Sequence, residues 1–209
     1  MSRNPLRIAL VIGSTRPGRR GTLVADWVAD VARRHPSAEA GEAVFETLDL
    51  AAYELPLLDE AIPGIFGDYQ NPHTRKWAEI IAGYDGFVFI TPEYNHSVPA
   101  ALKNAIDYLF AEWNDKAAGF VSYGINGGVR AVEHLRLTLG ELKVADVRTQ
   151  VALSMFTDFV ISDPLEAGVC APGEHQEPTL NEMLAEVVAW SGALRPLRER
   201  ARETAGSVS

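Results

Sequence analysis

An apolar run near the start of the chain reads Arg7-Ile8-Ala9-Leu10-Val11-Ile12 and ends at Gly13. Short runs of this kind, rich in β-branched residues and closed by a glycine, are typical of a strand that is buried on both faces. Apolar residues at helical spacing follow at Leu23, Val24, Trp27, Val28 and Val31. They predict an amphipathic helix, so the chain begins with a strand and a helix joined by a loop.

The same alternation continues along the rest of the chain. Further strands are predicted over residues 44–50, 86–91, 118–123 and 144–152, and further helices over residues 74–82, 98–109, 128–142 and 180–199. Residues 201–209 are predicted to fray. Five strands that alternate with five helices indicate an α/β fold, in which helices cover both faces of a parallel sheet. Ligands of such sheets bind beyond the carboxyl ends of the strands, so a site is expected in the loops there.

The composition narrows the classes of function. The chain has 209 residues, 47% hydrophobic and 22% charged, which predicts one globular domain. A net charge of −9 argues against a nucleic-acid partner. The single cysteine, Cys170, excludes an internal disulfide, a Cys-ligated iron–sulfur cluster and a four-Cys zinc site. Neither a signal peptide nor a run of about 18 apolar residues for a membrane span is evident, so we expect a cytoplasmic protein with no membrane partner.

The loop after the first strand, Gly13 to Thr22, has the composition of an anion site. It combines three glycines with three hydroxyl side chains and three arginines, namely Ser14, Thr15, Thr22, Arg16, Arg19 and Arg20. Backbone N–H groups at a helix start, together with hydroxyl and cationic side chains, suit a phosphate group. Its spacing matches neither the NTPase P-loop nor the dinucleotide fingerprint, so an isolated monophosphate fits better. The alternative is a solvated turn whose arginines face water.

The loop after the third strand, Thr91 to Ser97, suits a flat heterocycle. Proline stiffens it, and it holds an aromatic ring, a carboxyl group and an amide in Tyr94, Glu93 and Asn95. A heterocycle needs polar groups at its edge and an apolar or aromatic wall, and this loop has both. The alternative is a plain strand-to-helix turn in which Asn95 and Ser97 serve only as caps.

The loop after the fourth strand, Ser122 to Gly128, contains three glycines within five residues. Glycines allow a backbone to approach a ligand closely. The alternative here is a strained turn with nothing bound.

Motifs in these three loops resemble those of the NADPH-dependent FMN reductase family, which includes quinone, azo-dye and chromate reductases. They are Gly13-Ser14-Thr15-Arg16-Pro17-Gly18-Arg19, the stretch from Pro92 to Asp107, and Ser122-Tyr123-Gly124 with Gly127-Gly128. The resemblance covers residues 6–150 and is most specific in the second motif. It implies a flavodoxin-like three-layer sandwich with sheet order 2-1-3-4-5, a single FMN-binding domain over residues 1–209, and a homodimer or homotetramer. Residues from about 157 to 209 match no part of the family pattern, and the role of this extension stays open.

The resemblance also implies a set of cofactor-binding residues. Ser14, Arg16 and one or both of Arg19 and Arg20 would hold the phosphate, with Thr22 near it. Pro92, Glu93, Tyr94 and Asn95 would line the isoalloxazine, with Ser122, Tyr123 and Gly124 on its other side.

An enzyme of this family would pass hydride from NADPH or NADH through FMN to a small-molecule electron acceptor, by a ping-pong mechanism. The acceptors implied are quinones or similar molecules, such as free FMN, azo dyes or chromate. FMN carries the chemistry, so no side chain is predicted to be catalytic and no metal is expected. Two alternatives stay open, namely a flavodoxin-like electron carrier and a non-catalytic flavin sensor. The arginines of the first loop argue against the carrier.

Overall fold

A central sheet organises the molecule in the computed structural model, which describes residues 4–163 and 165–206. The strands of the sheet are β1 (Leu6–Ile12), β2 (Ala43–Asp49), β3 (Gly86–Pro92), β4 (Ala117–Gly124) and β5 (Ala145–Ser154). All neighbours are parallel, and their order is β2-β1-β3-β4-β5. This order confirms the predicted topology. Strand order reverses between β1 and β3, and in such sheets the crevice at that point is where ligands bind.

Helices cover both faces of the sheet. They are α1 (Gly21–Arg33), α2 (Pro36–Glu39), α3 (Pro72–Ala82), α4 (Ala100–Asp107), α5 (Val129–Glu141) and α6 (Gln176–Gly206). Two short 3-10 turns, Leu50–Ala52 and Gly64–Phe66, lie in the long connection between β2 and α3. None of the helices within the described residues is both long and apolar enough to cross a membrane.

The core consists of two apolar layers, one on each side of the sheet. Because successive strand residues point to opposite faces, Ile8 and Leu10 pack toward α1 and α6. Ala9 and Val11 pack toward α3, α4 and α5. The result is a three-layer sandwich, as predicted, and its long apolar strands are hidden from water on both faces.

The C-terminal extension is part of this sandwich. Its helix α6 packs against β5 and β4 and covers the same sheet face as α1, with Met183, Leu184 and Val187 fully buried. A short antiparallel hairpin precedes it, formed by β6 (Phe159–Val160) and β7 (Val169–Cys170). The sequence pattern did not predict this hairpin, because each strand has only two residues.

Helix α6 is longer at both ends than the predicted helix over residues 180–199. It begins at Gln176 and continues through Pro196 to Gly206. The expectation of a frayed tail is therefore wrong for residues 201–206, while residues 207–209 lie outside the described part of the chain.

Candidate functional site

The loops after β1, β3 and β4 meet at one edge of the sheet, because parallel strands end at the same side. Pro92 of β3 and Tyr123 of β4 are partners in the sheet, so the loops that follow these two strands start side by side. Between the loops lies a pocket of about 190 Å³. It is lined by Arg16, Arg20, Pro92, Glu93, Tyr94, Tyr123, Gly124, Ile125 and Met155. Hollows of about 340 and 350 Å³ under α6 contain none of the motif residues, so strand topology, and not volume, locates the site.

The first loop ends in an uncapped helix start. No side chain caps α1, and its first turn holds no acidic residue. Its N-terminal N–H groups thus have the free hydrogen-bonding capacity and the positive potential that attract an anion. The loop is fixed to β3 by the bond from Gly13 N to Ile90 O at 2.9 Å. Ser14 is fully buried, and its Oγ lies 3.0 Å from the hydroxyl of Tyr94, which joins the first loop to the second.

The three predicted phosphate arginines have different surroundings. Arg19 donates to Asp49, at the end of β2, at 2.5 Å. Arg20 donates to the carbonyl of Glu166 at 2.7 Å and lines the pocket, while Arg16 is exposed at the pocket rim. Thus Arg20 and Arg16 face the pocket, whereas the guanidinium of Arg19 is already held by a carboxylate.

Three hydrogen-bond donors at this helix start have no partner. Within residues 4–163 and 165–206, five buried side-chain polar atoms make no hydrogen bond, and three of them are Arg19 Nε, Arg20 Nε and Tyr123 Oη. Buried polar groups are nearly always paired, so such a concentration needs a reason. An anion seated at the start of α1 supplies acceptors, and the residues present therefore fit a phosphate group.

The second loop is a tight reverse turn. Tyr94 N donates to Ser97 O at 2.9 Å, and Ser97 N donates back to Tyr94 O at 3.1 Å. The central residues Asn95 and His96 have φ values of +50° and +68°, as a type I′ turn requires. Asn95 is exposed and does not line the pocket, so its observed role is to form the turn. The ring of Tyr94 forms a wall of the pocket, and exposed His96 is bound to no acid or nucleophile in the described residues.

Glu93 is bound by a residue that sequence reasoning missed. Its carboxylate accepts from Arg130 Nε at 2.6 Å and from the Arg130 backbone N–H at 3.2 Å. The side chain of Glu93 is only 8% exposed. Burial acts to raise the pKa of Glu93, but donation by Arg130 outweighs it and holds the pKa below the ordinary value. Glu93 is thus an ionised strut between the second loop and α5, and no local pattern marks Arg130 as its partner.

The third loop turns sharply at Gly127 and Gly128, whose φ values are +74° and +73°. The hydroxyl of Ser122 is buried and donates to Gly127 O at 2.6 Å, so it shapes the turn and does not face the pocket. Thr22 does not line the pocket either, and its hydroxyl donates to Arg19 O at 3.5 Å. Gly124, by contrast, lines the pocket beside Glu93.

Part of the pocket lining is apolar. Ile125 and Met155 belong to it, and Ile125 is 66% exposed. Phe156, next in the chain, is also exposed. The sequence analysis did not single out these residues, because an isolated apolar residue after a strand has no distinctive pattern. Among the described residues, no group of His, Cys, Asp or Glu is placed to hold a metal ion.

Comparison with known proteins gives a matching family, relatives in sequence and neighbours in fold. The family model for NADPH-dependent FMN reductase matches residues 6–158. An NAD(P)H-dependent FMN reductase of Schizosaccharomyces pombe is 36% identical over 165 residues, which are 78% of this chain and 80% of the relative. A quinone reductase of Escherichia coli K12 is 33% identical over 141 residues, 64% of this chain and 69% of the relative. Among solved structures, the flavoenzyme NAD(P)H:(acceptor) oxidoreductase FerB from Paracoccus denitrificans has a similar fold, with a TM-score of 0.66 at 20% identity, covering 90% of this chain and 98% of its own.

Proposed function

The chain belongs to the NADPH-dependent FMN reductase family, and from that membership we propose that it reduces quinones or similar flat acceptors with NAD(P)H by a ping-pong mechanism. The family establishes an oxidoreductase that uses FMN and NAD(P)H. The observation that supports the proposed acceptor class is the apolar part of the pocket lining, to which Ile125 and Met155 contribute together with the ring of Tyr94. A relative named as a quinone reductase points the same way.

The binding roles we propose follow from the contacts. The start of α1 would hold the FMN phosphate, with Ser14 and the arginines at 16 and 20 beside it. Pro92, Tyr94 and Gly124 would lie against the isoalloxazine. When bound, FMN supplies the redox chemistry, taking a hydride equivalent from NAD(P)H and passing two electrons to the acceptor.

The protein side chains at this site position the cofactor and the acceptor, and they exclude water. Glu93 is ionised and held by Arg130, so it fixes the second loop and is not free to move a proton. Apolar Ile125 and Met155 would offer a surface to a flat acceptor by shape and stacking. Such surfaces discriminate weakly between similar apolar molecules, so we expect several quinones to be reduced.

Anaerobic spectroscopy of the purified protein tests the proposal. We expect flavin absorbance that bleaches on addition of NADPH and returns on addition of a quinone, with parallel double-reciprocal plots for the two substrates. Flavin that stays oxidised with NADPH alone but is reduced by an added reductase would indicate a carrier. Flavin that is reduced neither by NADPH nor by an added reductase would indicate a sensor.

The acceptor surface can be tested by one substitution. Ile125→Ser should raise the KM for an alkyl-substituted benzoquinone about fivefold or more, because burial of the isoleucine side chain against the acceptor contributes about 1 kcal/mol or more. Leu137→Ser is the matched control, since Leu137 is equally apolar and 78% exposed on α5, away from the pocket. An equal effect of both substitutions would contradict the proposed surface.

We also propose a homodimer or homotetramer. The long connection between β2 and α3 exposes Leu57, Leu58, Ile65 and Phe66 together within ten residues of chain. Exposed apolar groups of this size often mark contact surfaces. Light scattering that gives a monomer at micromolar concentration would contradict this assembly. A cytoplasmic location fits the proposal, because a lone cysteine suits a reducing compartment.

A further inference from the structure

We infer that the hydroxyl of Tyr123 binds the phosphate of the cofactor, and so makes the site selective for FMN over riboflavin. The inference rests on FMN as the cofactor of the proposed function. It differs from the expectation that Tyr123 lies against the isoalloxazine. The evidence is where the end of this side chain lies and what surrounds it.

The hydroxyl of Tyr123 lies under the start of α1. A Cβ atom built on Gly21, the first residue of α1, would be 2.9 Å from Tyr123 Oη. The ring packs near Phe159, on the sheet face that α1 and α6 cover. Tyr123 thus reaches from the end of β4 to the first loop, and its hydroxyl lies beside the first residue of α1.

This hydroxyl is buried without a partner. Tyr123 is 5% exposed, and its Oη makes no hydrogen bond within the described residues. Ser14, the nearby hydroxyl, is engaged with Tyr94. Burial and the neighbouring Tyr94 raise the pKa of Tyr123, while Arg16, Arg19 and Ser14 act in the opposite direction. The phenol therefore keeps its proton at neutral pH and is ready to donate it to an acceptor.

A phosphate oxygen is the acceptor that fits. The charges of Arg16 and Arg19 act on the hydroxyl, and Arg20 lines the same pocket as Tyr123. Arg19 Nε and Arg20 Nε also lack partners. A neutral ligand atom would leave this positive potential uncompensated, whereas an anion pairs the phenol and the arginines together. Phenylalanine would fill the same space without an unpaired hydroxyl, so the hydroxyl lowers the stability of the flavin-free protein and raises its affinity for a phosphate ester.

Flavin titration of the flavin-stripped full-length protein tests the inference with Tyr123→Phe. A hydrogen bond to a charged group contributes enough that its loss should raise the Kd for FMN about 10- to 100-fold. The Kd for riboflavin, which has no phosphate, should change by less than about twofold. The flavin-free variant should melt a few degrees higher than the wild type, because a buried unpaired group is removed. Inorganic phosphate should raise the melting temperature of the wild type more than that of the variant.

Tyr84→Phe is the matched control. Tyr84 is similarly buried, but its hydroxyl donates to Glu46 at 3.3 Å, at the opposite end of β3. This control should leave both flavin affinities unchanged and lower the melting temperature.

The outcomes separate the inference from the proposed function. An unchanged Kd for FMN in Tyr123→Phe, or equal losses for FMN and riboflavin, would overturn the phosphate contact while the flavin enzyme stands. A variant that does not fold would also overturn it, because the inference requires a more stable flavin-free protein. A wild type that takes up neither flavin would remove the proposed function and the inference together.

Discussion

At the scale of single residues, the chemistry of a side chain in the site depends on which other group already holds it. Glu93 is an acid beside the pocket, yet its carboxylate is occupied by Arg130. Arg19 is a cation in an anion-binding loop, where Asp49 holds one end of its guanidinium and leaves its Nε unpaired. Such pairs hold a side chain in one position and make the loop around it rigid.

The pair of Glu93 and Arg130 leads to a prediction about stability and pH. Arg130→Ala should lower the free energy of unfolding by about 2 kcal/mol at pH 7, since it leaves a buried carboxylate with a single backbone donor. The native pKa of Glu93 is lowered from 4.5, so the stabilisation is present above about pH 5 and is lost as the pH falls through the native value. Urea unfolding from pH 3 to pH 8 measures this.

A double-mutant cycle with Glu93→Gln provides the control for that prediction. Glu93→Gln should lower the free energy of unfolding much less in the Arg130→Ala background than in the wild type. Additive losses would mean that the two side chains do not stabilise the fold as a pair.

Cys170 leads to a prediction about reactivity. Burial, with a smaller effect of Asp158, raises the pKa of its thiol from 9.0 to about 12. At pH 8 the native thiol should therefore react with iodoacetamide at least about 30-fold more slowly than the unfolded chain, even though a more basic thiolate is more nucleophilic. The rate should keep rising with pH beyond 10. Mass spectrometry follows the reaction, and rapid labelling of the native protein with loss of turnover would contradict the prediction.

At the scale of elements, the turn between β4 and α5 positions the site. Gly128 has φ of +73°, and a Cβ atom there would lie 2.9 Å from the backbone N and O of Tyr123. Backbone atoms cannot move aside as a flexible side chain can. The turn therefore holds Tyr123 and Gly124 in place through direct backbone contact.

Gly128→Ala is accordingly expected to destabilise the protein by about 3 kcal/mol or more and to weaken FMN binding, because strain and overlap act together. Gly140→Ala is its control. Gly140 is an exposed residue of α5 with nothing within 4 Å of an added Cβ, so alanine should stabilise by about 0.5–1 kcal/mol. Thermal unfolding and FMN titration measure both variants. A Gly128→Ala variant whose stability and FMN affinity equal those of the wild type would show that the turn can relax.

At the scale of the whole molecule, α6 ties the C-terminal extension to the end of the sheet remote from the site. Arg195 and Arg198 donate to the two carboxylate oxygens of Asp85, at 2.8 and 2.5 Å. Asp85 directly precedes β3 and also accepts from Arg7 N at 3.0 Å. One carboxylate thus joins the first strand, the third strand and the last helix.

Asp85→Asn should lower the free energy of unfolding by about 2–3 kcal/mol, since it leaves two partly buried guanidinium groups without their anion. Burial acts to raise the pKa of Asp85, but Arg195, the Arg7 amide and Arg198 outweigh it and hold the pKa below 3.8. The difference from the wild type should therefore be constant above about pH 5 and shrink as the pH falls below about 4.

The exposed pair of Lys103 and Asp107 is the control for that prediction. Asp107→Asn should cost no more than about 0.5 kcal/mol, since solvent screens an exposed pair one helical turn apart. Both substitutions lie outside the pocket, so the FMN affinity of the folded protein should stay unchanged in each. An equal loss of unfolding free energy in Asp85→Asn and Asp107→Asn would contradict the special role of Asp85.

The sequence by itself determined the five strands of the sheet, the main helices that alternate with them and the loops in which the candidate site lies. These features depend on local periodicity, on short apolar runs and on glycine-rich turns, which residues a few positions apart encode. It also determined the family, through motifs that are continuous in the chain.

Only the tertiary structure decided which donors and acceptors in those loops are free. Arg19 meets Asp49, Glu93 meets Arg130, and Tyr123 reaches Gly21, across 30, 37 and about 100 residues of chain. It also decided that the C-terminal extension completes one face of the sandwich. The reason is that the direction of a side chain at a strand end, and the group it meets there, depend on how distant segments pack, and no local pattern records that.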